Sequence, residues 1–335
     1  MTYYISSLLI LGTVSTTASY LLTKLLINLL PKYGMVDAPS ARRVHNKETP
    51  RGGGIAFVIT FGMFLPLFEY CMFGQFERSY TILQIFLPIS LVSFWDDISH
   101  VMIPIRLIIH VLCSFLAIMW LVHPSVVLSY GIPIYLDLTI AAFALLTFLN
   151  LYNFLDGIDG ITVSETMHLS ITIIILCFLS YDIIPNVDMV IIITTIILGW
   201  SIGFFYFNWQ PAKIFLGDTG SISIGFLIGV CLLTVASASA KLFAACVIAS
   251  LYYIADGGLT ILVRIVKRER IWEPHLQHFF QKSVRKGHSH KRVVKRIIKC
   301  NLLLMILSIG SIYYPIISII GALIVVLITL IRSVI

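Results

Sequence analysis

Apolar runs long enough to cross a bilayer recur along almost the whole chain, and the polar stretches between them are short. A spanning helix needs about 20 predominantly apolar residues. Runs of that kind fall near residues 4–23, 54–73, 80–95, 103–122, 138–152, 161–180, 188–207, 221–238, 242–263, 298–313 and 315–334. The pattern predicts one all-α polytopic membrane domain over residues 1–335 with about 11 transmembrane helices. Between two of these runs, VVLSYGIPIYLDL (126–138) alternates around Gly131 and Pro133 and predicts a small external hairpin. No basic residue precedes the first run, Lys24 being the earliest, and no small-residue cleavage site follows it, so it reads as a retained helix and not a signal peptide.

Composition agrees with the pattern: hydrophobic residues make up 59% of 335 and charged residues 12%, which excludes a water-soluble globular domain. The six cysteines, Cys71, Cys113, Cys177, Cys231, Cys246 and Cys300, lie in or at the ends of spans without paired spacing, and predict neither a disulfide framework nor a zinc site.

Lys and Arg divide the loops between two sides. One side carries Lys32, Arg42, Arg43, Lys47, Arg51, Arg106, Lys213, the basic stretch from Arg264 to Lys299, and Arg332; the other carries Arg78 and Lys241. The positive-inside rule makes the first side cytoplasmic, with the N-terminus outside and the C-terminus inside. The net charge of +7 is then accounted for by topology and attraction to anionic lipid, and nucleic acid is not an expected partner.

Acidic residues near membrane depth are costly and mark function or pairing. Asp96 and Asp97 (SFWDDISH), Asp156 and Asp159 (NFLDGIDG) and Asp218 (FLGDTG) all map to the cytoplasmic side, whereas the external acids Glu77, Asp137, Asp182 and Asp188 have no companion glycine or asparagine pattern. Adjacent helical residues point about 100° apart, so the Asp96–Asp97 doublet offers one carboxylate to a site while the other anchors its geometry. If their segment is helical, Asp156 and Asp159 share a face, as do Asn150 and Asn153; Asp-Gly is equally a turn signal. Gly217 to Ser221 runs straight into an apolar span, which reads as a helix cap and as a place to bind phosphate. Together these motifs predict a polar cleft at the cytoplasmic surface.

Two basic segments complete that face. VDAPSARRVHNKETPRGGG offers Arg42, Arg43, His45 and Arg51, with a triple glycine that lets backbone approach a ligand. The later segment carries His275 and His278 at i and i+3 and Arg285; without a carboxylate at H-E-x-x-H spacing it does not read as a zinc site.

In order along residues 37 to about 292, DAPSARRVH with PRGGG, FWDD, NLYNFLDGIDG, FNWQPAKIFLGDTGS and the last histidine-containing loop resemble the polyprenyl-phosphate N-acetylhexosamine-1-phosphate transferase family. The resemblance implies transfer of a sugar-1-phosphate from a UDP-N-acetylhexosamine to undecaprenyl phosphate with release of UMP, in a bacterial inner membrane, with Mg²⁺, or Mn²⁺ in its place; a homodimer is compatible with it. It implies that Phe215 stacks on uracil, that Asn153, Asp156, Asp159 and Asn208 line the nucleotide pocket with Lys213 beside them, and that Asp256, upstream of Arg264, faces the cleft. Arg43, His45, Arg264, His275 and His278 complete the substrate contacts expected of the two basic segments. Asp218 is the expected direct metal ligand and Asp97 its helper, while Asp96 takes a proton or orients the acceptor. The last loop reads PHLQHFFQ and then KGHSHKRV; it departs from the three adjacent histidines of the peptidoglycan branch and from the H-x-H-H cluster of the N-acetylglucosamine branch. It is closer to the O-antigen and capsule initiating enzymes, which disfavours a muramoyl-pentapeptide substrate.

Three other functions compete. A scaffold or lipid sensor uses the basic loop alone but leaves five aspartates in three glycine-associated motifs unexplained. A secondary transporter places its coupling residues near the bilayer midplane on broken helices, whereas here the acids concentrate at one surface. A hydrolase of UDP-sugars differs only in lacking a lipid product.

Overall fold

The computed structural model describes residues 2–37, 48–122, 132–270 and 275–334. It is an all-α bundle. Helices α1 (Thr2–Leu29), α2 (Gly54–Phe73), α3 (Glu77–Ser99), α4 (Ile103–Trp120), α5 (Ile134–Phe154), α6 (Ile161–Leu179), α7 (Val187–Asn208) and α8 (Asp218–Ala236) precede a broken pair, α9 (Ala240–Ala249) and α10 (Leu251–Val266). A short α11 (Phe279–Arg285) leads into α12 (His290–Gly310) and α13 (Pro315–Val334). The only sheet among the described residues is a two-residue antiparallel ladder, β1 (Val36–Asp37) with β2 (Thr49–Pro50).

Among the described residues nine helices are long and apolar enough to cross a membrane, and the bent α9–α10 pair raises the number to ten. The expected count was about 11, and two places account for the difference. The ninth apolar run is not one helix: it breaks at Ser250 with a bend of 69°. The tenth begins eight residues before the apolar run, at His290, so that Lys291, Arg292, Lys295, Arg296 and Lys299 form the first half of α12. The hairpin expected over 126–138 falls partly on residues 123–131, which lie outside the described residues; its second half is the first turn of α5 and not a strand.

The centre of the bundle is α8, almost every residue of which is buried, with α6 and α7 around it. A helix buried on all sides needs no amphipathic stripe, and α8 beyond its first turns is apolar on every face. Helices α1, α4 and α13 present large apolar side chains outward, as helices facing lipid do. Polar side chains clip neighbours together where no water is available: Ser19 Oγ donates to the Trp200 carbonyl at 2.8 Å, and the hydroxyls of Ser90 on α3 and Ser223 on α8 meet at 2.8 Å. The aspartate-bearing ends of α3 and α8 and the turn after α5 converge with the start of α2 and the end of α7 at one end of the bundle.

Candidate functional site

The site is built on the crossing of two loops. Phe215 N donates to the Pro50 carbonyl at 2.8 Å, and the Phe215 carbonyl accepts from Gly52 N at 3.2 Å and Gly53 N at 2.9 Å; Gly54 N then donates to the Leu216 carbonyl at 2.8 Å. Residues 50–54 and 215–216 thus run side by side like a minimal parallel ladder. The expectation that the triple glycine lets backbone approach a ligand is corrected here. The approach is to another backbone: a Cβ on Gly54 would lie 2.1 Å from Gly220 N.

Gly217, at φ +76°, turns the chain into α8. The start of that helix is capped from across the bundle. Asp97, on α3, accepts from Asp218 N at 2.9 Å, Thr219 N at 2.9 Å and Thr219 Oγ1 at 2.6 Å, and pairs with Arg51 at 2.9 Å. A helix N-terminus presents unpaired amides and partial positive charge, and a carboxylate satisfies both. With its side chain fully buried and both oxygens engaged by these donors, Asp97 ties α3 to α8.

Asp218 is oriented differently. Its carboxylate is partly exposed, with Oδ1 2.6 Å from Arg51 Nη2 and Oδ2 3.5 Å from Arg106 Nη1. Arg106, on α4, also pairs with Asp96, whose Oδ1 accepts from Val101 N at 2.8 Å. The doublet divides as its 100° divergence predicts: Asp97 turns to the α8 terminus, Asp96 to Arg106.

Next to this cluster lies a polar cleft of about 340 Å³, walled by Arg51, Asn153, Asp156, Asp159, Asn208, Phe215, Asp218, His275 and Gln281 among others. Asn153 Oδ1 accepts from Ser221 Oγ at 2.6 Å. Asn208 staples the walls, accepting from Gly160 N and donating to the Ile214 carbonyl, both at 3.0 Å. Asp159 Oδ2 accepts from Ala212 N at 3.0 Å, and its Oδ1 lies 3.3 Å from His290 Nδ1. Helix α5 stops at Phe154 and α6 starts at Ile161, so Asp156 and Asp159 stand on a turn and not on a helical face. Asn150 is not part of the floor: its amide donates back to the Leu146 carbonyl of its own helix at 2.7 Å.

The last loop is corrected in part. His275 lines the cleft, but Asp256 does not face it. Asp256 is fully buried and accepts from Phe279 N at 3.0 Å, Phe280 N at 3.3 Å and Tyr252 Oη at 3.2 Å, with His278 Nδ1 3.2 Å away. It holds the start of α11, and His278, itself buried, packs behind the cleft wall. Arg264 pairs with Glu269 at 3.0 Å and borders a more open hollow shared by Arg270, His275 and Arg285. Lys213 is exposed, with Nζ 5.5 Å from the Tyr206 ring centroid, and is not a lining residue. Arg43 and His45 lie outside the described residues.

Burial and the nearby Asp218 push the Asp156 carboxyl up to about 7, against a hydrogen bond from Thr162 that favours its charged form. Burial, His278 and Arg264 hold His275 down to about 4, so its imidazole is neutral at pH 7. Among the described residues no group of three or more His, Cys, Asp or Glu is gathered to hold a metal. The hard oxygen donors present, the partly exposed Asp218 with the other aspartates behind it, fit Mg²⁺, which takes one or two carboxylates and completes its shell with water and substrate phosphate.

Arg51, Arg106, Gln281 and His290 contribute to this geometry without having been assigned to the site from sequence. Arg51 had a local signal, being the cation before the triple glycine. Arg106 had none, since only the α3–α4 turn brings it to Asp96.

The glycosyl transferase family 4 model matches residues 79–236, the stretch that holds Asp96, Asp97, Asp156, Asp159 and Asp218. A probable undecaprenyl-phosphate N-acetylglucosaminyl 1-phosphate transferase of Bacillus subtilis is 24% identical over 307 residues, 84% of this chain and 78% of that protein. Phospho-N-acetylmuramoyl-pentapeptide-transferases of Borrelia garinii and Streptococcus pneumoniae are 31% and 33% identical over 183 and 195 residues. Those matches cover 51% and 53% of this chain and 50% and 56% of the relatives, so the chain spans about half their length. The chain is a multi-span membrane protein, and its sequence is similar to these transferases over the stretch that carries the aspartate motifs.

Proposed function

We propose that the protein transfers an N-acetylhexosamine-1-phosphate from a UDP-sugar to undecaprenyl phosphate, releasing UMP and starting a lipid-linked surface glycan of the O-antigen or capsule kind. The observation that carries the reading is a change of lining along one helix. Asn153 and Phe154 at the end of α5 wall the polar cleft. Leu145, Phe148 and Leu151 on the same helix wall an apolar groove of about 360 Å³, closed by Leu232, Val247 and Ile254. A polar headgroup and a hydrocarbon tail on one molecule match such a pair of adjoining spaces.

The reaction joins two anions, so the site must neutralise and align them. An oxygen of the acceptor phosphate attacks the β-phosphorus of the donor, and the bond from that phosphorus to the bridging oxygen breaks, leaving UMP. A phosphomonoester has its second pKa near 6, so the acceptor reaches the site largely as a dianion and needs little help from a base. Asp96 orients it through Arg106. Asn153, Asp156, Asp159 and Asn208 receive the nucleotide, and Phe215 offers its ring to the uracil. Mg²⁺, held by Asp218 with Asp97 behind it, supplies charge neutralisation at the phosphates when bound. The concentration of Lys and Arg on the cleft side supports a cytoplasmic active site in a bacterial inner membrane.

The test is incubation of the purified protein with a panel of labelled UDP-N-acetylhexosamines, undecaprenyl phosphate and magnesium. A labelled lipid pyrophosphate with equimolar UMP is expected. Sugar phosphate released without a lipid product would make the protein a hydrolase instead.

A further inference from the structure

Both oxygens of Asp218 face cations of the protein itself. Arg51 Nη2 stands 2.6 Å from Oδ1 and Arg106 Nη1 3.5 Å from Oδ2. Each guanidinium has a second anchor, Arg51 on Asp97 at 2.9 Å and Arg106 on Asp96. Three carboxylates facing two guanidiniums leave a single formal negative charge, which explains how three aspartates gather at one largely buried helix end: uncompensated buried charge is strongly unfavourable. The two arginines differ. Arg51 walls the cleft, and Arg106 is not among its lining residues.

We propose that Arg51 is an exchangeable counter-ion. In the empty site it occupies Asp218. On loading it yields that carboxylate to the divalent ion and offers its guanidinium to phosphate oxygens of the donor, keeping Asp97 as its second anchor. This rests on the reading of Asp218 as the metal-binding carboxylate. Arginine stays charged at any working pH, so it leaves a carboxylate only by taking another partner, and a phosphate is the partner its planar fork matches best. A cation that competes with the metal in the empty protein and supports the donor in the loaded one has effects of opposite sign on the two ligands. A purely structural arginine has no such signature.

The experiment follows the thermal unfolding midpoint of the purified full-length protein in detergent while MgCl₂ is raised with no nucleotide present, and separately measures KM for the UDP-sugar. Arg51→Gln is expected to lower the magnesium concentration needed for half the stabilisation by about fivefold, from loss of one nearby, partly screened positive charge, while KM for the donor rises. Arg51→Lys keeps the charge without the fork, serves if the glutamine variant does not fold, and should move both quantities the same way by less. An Asp218-dependent magnesium response whose midpoint moves in neither variant, or moves upward, overturns the exchange alone. A magnesium response that survives unchanged in Asp218→Asn overturns the metal assignment, and the exchange with it.

Discussion

Gly54, at the start of α2, and Gly220, in the first turn of α8, touch backbone to backbone: a Cβ on Gly54 would sit 2.1 Å from Gly220 N and 2.3 Å from its Cα. The contact holds together the two loops on which Arg51 and Asp218 ride. No side chain can move aside here, because the atoms met are backbone. Overpacking of a well-filled interior costs about 1–3 kcal/mol, and Gly54→Ala is expected at or above the top of that range. Its thermal unfolding midpoint and its monodispersity in detergent should both fall, whereas Gly62→Ala, where nothing lies within 4 Å of the added Cβ, leaves them unchanged.

Asp218→Asn and Asp97→Asn should fail in different ways. Asp218 is partly exposed and pairs with Arg51 and Arg106, so its amide should leave the fold intact and reduce transfer by about a thousandfold, the equivalent of some 4 kcal/mol of transition-state stabilisation. Asp97 caps α8 and is fully buried, so its amide lowers thermal stability as well as turnover. Asp188→Asn, distant from the cleft at the start of α7, is the control. Unimpaired UMP release by Asp218→Asn would remove that residue from the reaction.

The raised Asp156 carboxyl gives a pH signature. Its folded value, about 7, lies above the unfolded value near 3.8, so the folded state binds more protons between the two. Stability from this group therefore declines as pH rises from about 4 to about 7. Above pH 7 the carboxylate also repels an anionic donor. Donor KM should rise through neutral pH in the wild type, and Asp156→Asn should flatten both trends; a wild-type profile that Asp156→Asn leaves unchanged would assign the titration elsewhere.

Deeper in the bundle, Asn301 Nδ2 donates to Glu165 Oε2 at 2.6 Å while Glu165 Oε1 and Asn301 Oδ1, both acceptors, are buried without a partner among the described residues. An amide at position 165 brings the missing donor. Glu165→Gln should hold or raise the unfolding midpoint, and Glu165→Leu should lower it by stranding Asn301, at about 1–3 kcal/mol for an unsatisfied buried polar group. Equal loss in both variants would mean that the carboxylate itself is required.

What the sequence made legible follows from range. Apolar runs specify spans locally, and nearly every expected span has a helix. The aspartates of the cleft and Asn153 were legible because acids and amides are conspicuous in an apolar chain, whereas Asn208 and Phe215 came only from the family resemblance. The remainder depends on partners far away in sequence. The cap that Asp97 makes was not legible, because nothing around FWDD reveals that α8 begins against it. Asp256 looked like a cleft residue because α11, whose amides it accepts, comes more than twenty residues later. The break at Ser250 sits inside a continuous apolar run with no proline to mark it.

Asp97 and the Ser90–Ser223 pair fasten α3 to α8 at two levels, and the Phe215 ladder with the glycine contact adds the start of α2 to the same piece. Arg51 and the stretch from Phe215 to Asp218, which line the cleft, therefore belong to one stiff piece. The opposing side, where Leu276 and Gln281 sit, reaches the bundle through the Asp256 latch at the start of α11 and the Phe280 ring against Gly157. That wall of the cleft is thus held in place by a buried carboxylate that does not itself line it.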